Sequence, residues 1–203
     1  MFSGLLNLFG CNRQGAKAGN DKDMDAILAS VEAFKKRPIH KELTKSILDG
    51  LPDDQLEQAV YDNISEIIGE DYENELSNVK KLTKGQKAIF STWAVEAEVN
   101  NGGFNQFYFN SSGQYGDMAV EGFETVDATK HAELMREANK IYASIKKDLE
   151  KFDDGTVESF SESYEDNPLN KLDDKYYDLD KNESLWGLKV KYIREHPEQF
   201  TQK

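Results

Sequence analysis

Apolar side chains return every three or four residues along most of the chain, and that spacing predicts helices. Met24, Ile27, Leu28, Val31 and Phe34 mark one over residues 21–37, stopped by Pro38. A short helix is predicted over 41–48, before Asp49-Gly50. Residues 53–68 carry the stripe Leu56, Val60, Ile64, Ile67 and Ile68, with Gly69 placed to end the helix. Ile89, Phe90, Trp93 and Ala97 mark the inner face of 83–101, and Met118, Val120 and Phe123 that of 115–125. The longest stripe, over 128–152, runs through Leu134, Met135, Ala138, Ile141, Tyr142, Ile145 and Leu149, and Asp153-Asp154-Gly155 terminates it. Residues 156–167, with Val157, Phe160 and Tyr164, fit a short helix or an ordered loop. Pro168 opens a turn carrying Leu169, Leu172, Tyr176 and Tyr177. The last helix, 184–196, points Leu185, Leu188, Tyr192 and Ile193 inward and stops at Pro197. No alternating strand pattern of useful length and no internal repeat appears. The expected fold class is all-α: a single compact multi-helix domain over 21–203, behind a flexible or membrane-surface segment over 1–20.

One stretch interrupts this regularity. Residues 98–113 read EVNNGGFNQFYFNSSG. The pair Gly102-Gly103 reaches backbone angles that other residues avoid, so it predicts a sharp break between two helices. Phe104, Phe107 and Tyr108 then fall at i, i+3 and i+4, one face of a helix, and Phe109 adds a fourth aromatic. Asn100, Asn101, Asn105, Gln106 and Asn110 flank them with side-chain amides. The stretch is either a buried turn whose amides cap neighbouring helix ends, or a pocket for a polar ligand built on Asn100, Asn101, Gly102, Gly103, Phe104, Gln106 and Phe107. Amides orient ligands but transfer no protons, so such a pocket would bind rather than catalyse.

Charge changes the picture next. The net charge is −13 over 203 residues. That balance argues against direct contact with nucleic acid, whose phosphates need a basic surface. The excess sits in two places: residues 49–76 carry ten acids and no Lys or Arg, and residues 152–183 carry a net −8. On the 53–68 helix, Asp54, Asp62 and Glu66 fall away from the apolar stripe, and Glu70 and Glu73 continue the row if the helix runs past Gly69. Four residues of helix rise about 6 Å. That is coarser than the roughly 3.4 Å between charges along one DNA strand. One row is therefore a coarse imitation of a phosphate backbone, and a closer one needs carboxylates from several elements.

Other chemistry is sparse. No nucleophile elbow, phosphate loop, dinucleotide fingerprint or zinc spacing occurs. His40, His131 and His196 are far apart in sequence, and no cofactor or metal is indicated. Asp21, Asp23, Asp25 and Glu32 superficially match a calcium loop, but Ala26 stands where that loop needs glycine. Asp173-Asp174 reads as solvated charge, because adjacent helix positions diverge by about 100°. The single cysteine, Cys11, excludes an internal disulfide and fits a reducing, cytoplasmic compartment. Leu8-Phe9-Gly10-Cys11 is close to a lipoprotein box, so anchoring through Cys11 is the minor alternative, although no Lys or Arg precedes it. No run of eighteen apolar residues exists to span a membrane.

The run at 100–110, Asn-Asn-Gly-Gly-Phe-Asn-Gln-Phe-Tyr-Phe-Asn, closed by Ser112 and Gly113, resembles the signature of a bacterial domain-of-unknown-function family that includes a DNA-mimic protein, DNA mimic protein nineteen. The likeness continues through Leu172-Asp173, Tyr176-Tyr177, Leu185, Leu188, Tyr192, His196 and Phe200, covering roughly residues 50–200. The resemblance implies an all-helical domain, a homodimer and no known enzymatic activity. Joined to the charge pattern, it gives the leading expectation: a non-catalytic acidic protein that occupies the DNA site of a transcriptional regulator or another basic DNA-binding protein. The alternative is a helical domain that binds a small ligand or peptide through the 100–110 stretch.

Overall fold

The structure is a computed structural model describing residues 21–179 and 181–201. Among these residues ten α-helices form and no strand does. The chain divides into two compact units between Ile39 and His40. On the N-terminal side lies α1 (Asp21–Lys35), which ends as expected before Pro38. Arg37 closes its end, placing its guanidinium 3.7 Å from the Phe34 ring centroid and donating to the Phe34 carbonyl at 2.8 Å. Its apolar residues Met24, Ile27 and Leu28 are exposed. The expectations for residues 1–20, including a lipid anchor at Cys11, lie outside the described residues.

The second unit holds α2 (Lys45–Gly50), α3 (Asp53–Ile68), α4 (Glu75–Lys81), α5 (Lys84–Phe109), α6 (Gly116–Thr125), α7 (Thr129–Leu149), α8 (Val157–Glu162), α9 (Asn170–Leu179) and α10 (Leu185–Glu195). The expected all-α class holds. α4 went unforeseen, because the polar run before it showed acids and no stripe, and the turn expected after Pro168 is the ten-residue helix α9. The 156–167 ambiguity resolves as α8, whose N-cap Thr156 accepts from the Ser159 amide.

The centre of the unit is α5, which packs against α3, α6 and α9. Each residue from Ala88 to Val95 is buried, so this part of α5 is enclosed on all faces rather than on one. Gly122 of α6 lets that helix come close to α5: a Cβ there would lie 2.7 Å from Ser91 Oγ. Thr83 and Gln86 form a reciprocal capping box at the start of α5. The C-terminal turn reinforces that start, with Thr83 Oγ1 donating to the Gln199 carbonyl at 2.7 Å. Along α3, Leu56, Val60, Ile64 and Ile68 are buried as their spacing requires. Ile67 is 42% exposed although it shares their angular position. It sits in the last turn, where neighbouring packing and not periodicity sets burial.

Polar groups tie the helices together inside this core. On α10 the expected inward residues Leu185 and Ile193 are buried, whereas Leu188 and Tyr192 are half-buried. The fully buried side chain that periodicity did not suggest is Lys189. It donates to Glu96 of α5 at 2.6 Å and to Glu57 of α3. Burial alone would lower the Lys189 ammonium, but Glu96 and Glu57 hold it above the ordinary lysine value. Burial raises the Glu57 carboxyl, against the pull of the lysine. Arg194, one turn on, donates to the carbonyls of Leu48 and Leu51 and to Asp53, so it satisfies the end of α2 and the start of α3 together. Glu183 does the same for α7, accepting from the backbone amides of Lys130 and His131 and holding the buried His131 ring at 2.6 Å. Burial raises that carboxyl, but His131 and the two amides outweigh it and hold Glu183 below the usual carboxylate value.

Removing Lys189 leaves two carboxylates facing one another without a cation. Lys189→Met should destabilise the fold by about 3–5 kcal/mol, and adding Glu57→Gln should recover part of the loss. Urea-unfolding midpoints read both effects, and an unchanged midpoint for Lys189→Met would contradict the assignment.

Candidate functional site

The Gly102-Gly103 break is present. Gly102 takes φ −148° and ψ 22°, and Gly103 takes φ 75° and ψ −177°, a conformation that only glycine adopts without strain. The break frees backbone groups that a continuous helix would pair, and three side chains meet them. Asp173 Oδ1 of α9 accepts from the Phe104 amide at 2.8 Å, capping the second arm of α5. The Tyr177 hydroxyl donates to the Val99 carbonyl at 2.8 Å, and the Tyr164 hydroxyl donates to the Gly102 carbonyl at 2.8 Å. A Cβ on Gly103 would overlap the Asp173 carboxylate. The expectation that Asp173 is solvated charge is therefore corrected: it is half-buried and bonded to the break, while its neighbour Asp174 is exposed. The ring of Tyr176 packs edge-on to Phe104 at 5.8 Å. The two separated motifs of the sequence thus form one contact between α5 and α9.

The amides are mostly internal ties. Glu98 accepts from Gln106 Nε2 at 2.7 Å, Asn110 Nδ2 at 2.9 Å and Ser112 Oγ at 3.0 Å. Asn101 donates to Gln106 Oε1 at 2.9 Å. Asn105 is buried, donates to Ser163 Oγ at 2.7 Å and accepts from Asn167 at 2.8 Å. Phe104, Phe107 and Tyr108 are core residues. Asn100 is exposed. Sequence reasoning missed Glu98 as the acceptor that gathers three of these donors. The signal available for Asp173 was its i, i+4 relation to Tyr177, beside the apolar pair Leu172 and Tyr176.

The acids of residues 49–76 separate into two groups. Asp49 pairs with Lys45, Asp53 with Arg194 and Glu57 with Lys189, and Glu75 accepts the Tyr115 hydroxyl. Asp71 accepts from the Asn74 side chain at 2.9 Å. Asp62 leaves the outward set: it is only 7% exposed and accepts from Gln58 at 2.9 Å. Several helices pack around α3, so a position off the main stripe is enclosed as well. Asp54, Glu66, Glu70 and Glu73 remain. All four are exposed, and none enters an ion pair or a side-chain hydrogen bond with another described residue. Gly69, at φ 76° and ψ −173°, ends α3, so Glu70 and Glu73 stand on the turn towards α4 and do not extend one helical row.

Among the described residues no group of His, Cys, Asp or Glu could hold a metal ion, and no helix is long and apolar enough to cross a membrane. The fold and this surface define a helical protein with polar ties inside its core and a set of unpaired carboxylates on α3 and the turn after it. The family model for DMP19-like protein matches residues 80–196, more than half of the chain, and the chain belongs to that family. No curated protein and no solved structure matches it.

Gly103→Ala should destabilise by about 1–3 kcal/mol from backbone strain alone, before the displaced Asp173 carboxylate adds to it. Asp173→Ala should lose about 1 kcal/mol as a missing cap, and Asp173→Asn less, because the amide keeps an acceptor. Denaturant midpoints rank the three, and a Gly103→Ala chain as stable as the parent would show that the break does not need glycine.

Proposed function

We propose that this protein is a non-catalytic acidic binding protein that mimics DNA and occupies the DNA-binding site of a basic protein, such as a transcriptional regulator. The observation that carries this reading is the set of unpaired carboxylates Asp54, Glu66, Glu70 and Glu73, exposed in a stretch without any Lys or Arg. A lysine- or arginine-lined surface built to meet phosphates is attracted to such a set, and its approach is accelerated at low salt. The carboxylates come from a helix and the turn after it, not from a single helical row. Membership of the DMP19-like protein family supports the same reading. The partner is the basic protein; nucleic acid itself is repelled by a chain of net charge −13. The family likeness also supports a homodimer.

The test is capture of partners from a lysate of the native host, with and without competing duplex DNA, alongside the Glu66→Gln/Glu70→Gln/Glu73→Gln variant. The reading expects a DNA-binding protein that duplex DNA displaces, that weakens as salt rises and that the variant fails to hold. Partners indifferent to DNA, or retained in full by the variant, would return these carboxylates to solubility.

A further inference from the structure

Beside the second arm of α5 lies an open cleft of about 390 Å³ that the acidic surface does not use. Its floor is aromatic: Phe109 and Phe160 meet edge to face with centroids 4.8 Å apart. Val157, 76% exposed, stands at its mouth. Asn101, Gln106 and Asn110 also line it. Gln106 is spent on both sides, but Asn101 and Asn110 use only their amide nitrogens, and their carbonyl oxygens accept from no described residue. No charged side chain lines the cleft, which makes it unsuited to a phosphate or a carboxylate. The chain around its α8 wall is acidic: Asp153 and Asp154 precede the lining Gly155, and Glu158 and Glu162 lie on α8 itself, all exposed. Asp154 is kept ionised by hydrogen bonds from Ser159 and Thr156.

These features select one kind of occupant. An apolar floor of this size takes a phenylalanine- or leucine-sized side chain. Acceptor oxygens among the lining residues suit the amide N–H groups of an extended backbone. Unpaired acids beside it favour a cationic segment and steer it inward. We propose that this cleft is a docking site for a short basic peptide segment of a protein partner, which anchors one large apolar side chain between Phe109, Val157 and Phe160. The inference goes beyond the DNA-mimic reading, because the cleft recognises an apolar anchor that no phosphate surface calls for.

The experiment uses the full chain and a fluorescein-labelled peptide of lysine and arginine with one central phenylalanine, followed by anisotropy at low salt. Replacing the probe's phenylalanine by alanine should weaken binding by about tenfold or more, and so should Val157→Arg, an exposed position whose change leaves the core intact. Glu158→Gln/Glu162→Gln should flatten the salt dependence. In heteronuclear NMR the side-chain amides of Asn101 and Asn110 should shift on titration. The Glu66→Gln/Glu70→Gln/Glu73→Gln variant should bind the probe as the parent does, so that loss of the mimic reading and loss of this one are separate results. Equal affinity for the phenylalanine and alanine probes, undiminished binding by Val157→Arg, or no binding at all overturns the proposal.

Discussion

A break in one helix sets the arrangement of the rest. α5 supplies the wall against which α3, α6 and α9 pack, and it turns at Gly102-Gly103. A buried helix cannot turn without exposing amides and carbonyls, and unpaired groups of that kind are expensive away from water. α9 answers this with Asp173 and Tyr177, and the segment after α8 answers it with Tyr164. The partners come from residues sixty and more positions away, so the break also fixes where the C-terminal third of the chain must lie. The aromatics past the break, Phe104 and Phe107, then point into the core that the turn creates.

The same economy governs the charges. An acidic chain could have spread its carboxylates over the surface, but many of them are structural. Glu57 and Glu96 neutralise a buried lysine, Asp53 orients Arg194, Glu98 gathers three donors, and Glu183 caps α7. Other exposed carboxylates stand outside this bonding. Asp54, Glu66, Glu70 and Glu73 stand near α3 and its exit turn; Asp153, Glu158 and Glu162 stand near α8. Surface carboxylates with no internal bond add little to stability. What singles out the set near α3 is that its stretch holds no Lys or Arg, and that turns attention from folding to binding.

Much of this was legible in the sequence. The 3.6-residue period placed α3, α6, α7 and α10 closely, because each carries an apolar stripe at that spacing, and it placed the first arm of α5 up to the glycine pair. The glycine pair announced the break, because nothing else tolerates the angles at Gly103. The failures share a cause. Ile67, Asp62 and Lys189 each have an exposure that depends on neighbouring elements, which one-dimensional periodicity cannot contain. Asp173 looked like solvated charge because its partner, the Phe104 amide, lies 69 positions away. The amide-rich stretch left a capping turn and a pocket both open, because the acceptor that binds three of its donors, Glu98, precedes the motif and carries no distinguishing neighbour. Of the outward acidic row, Asp54, Glu66, Glu70 and Glu73 kept their exposure, and the helix ends at Gly69 as expected, so the condition for one continuous row is not met.

The central claim is that the unpaired carboxylates of α3 and its exit turn are the ones a basic partner touches. Carbodiimide labelling of carboxylates, read residue by residue in mass spectrometry for the free protein and for its complex, tests this most directly. The account predicts protection of Glu66, Glu70 and Glu73 on complex formation, with Asp117 and Glu133 labelled equally in both states. Protection confined to other carboxylates, with Glu66, Glu70 and Glu73 fully reactive in the complex, would contradict it.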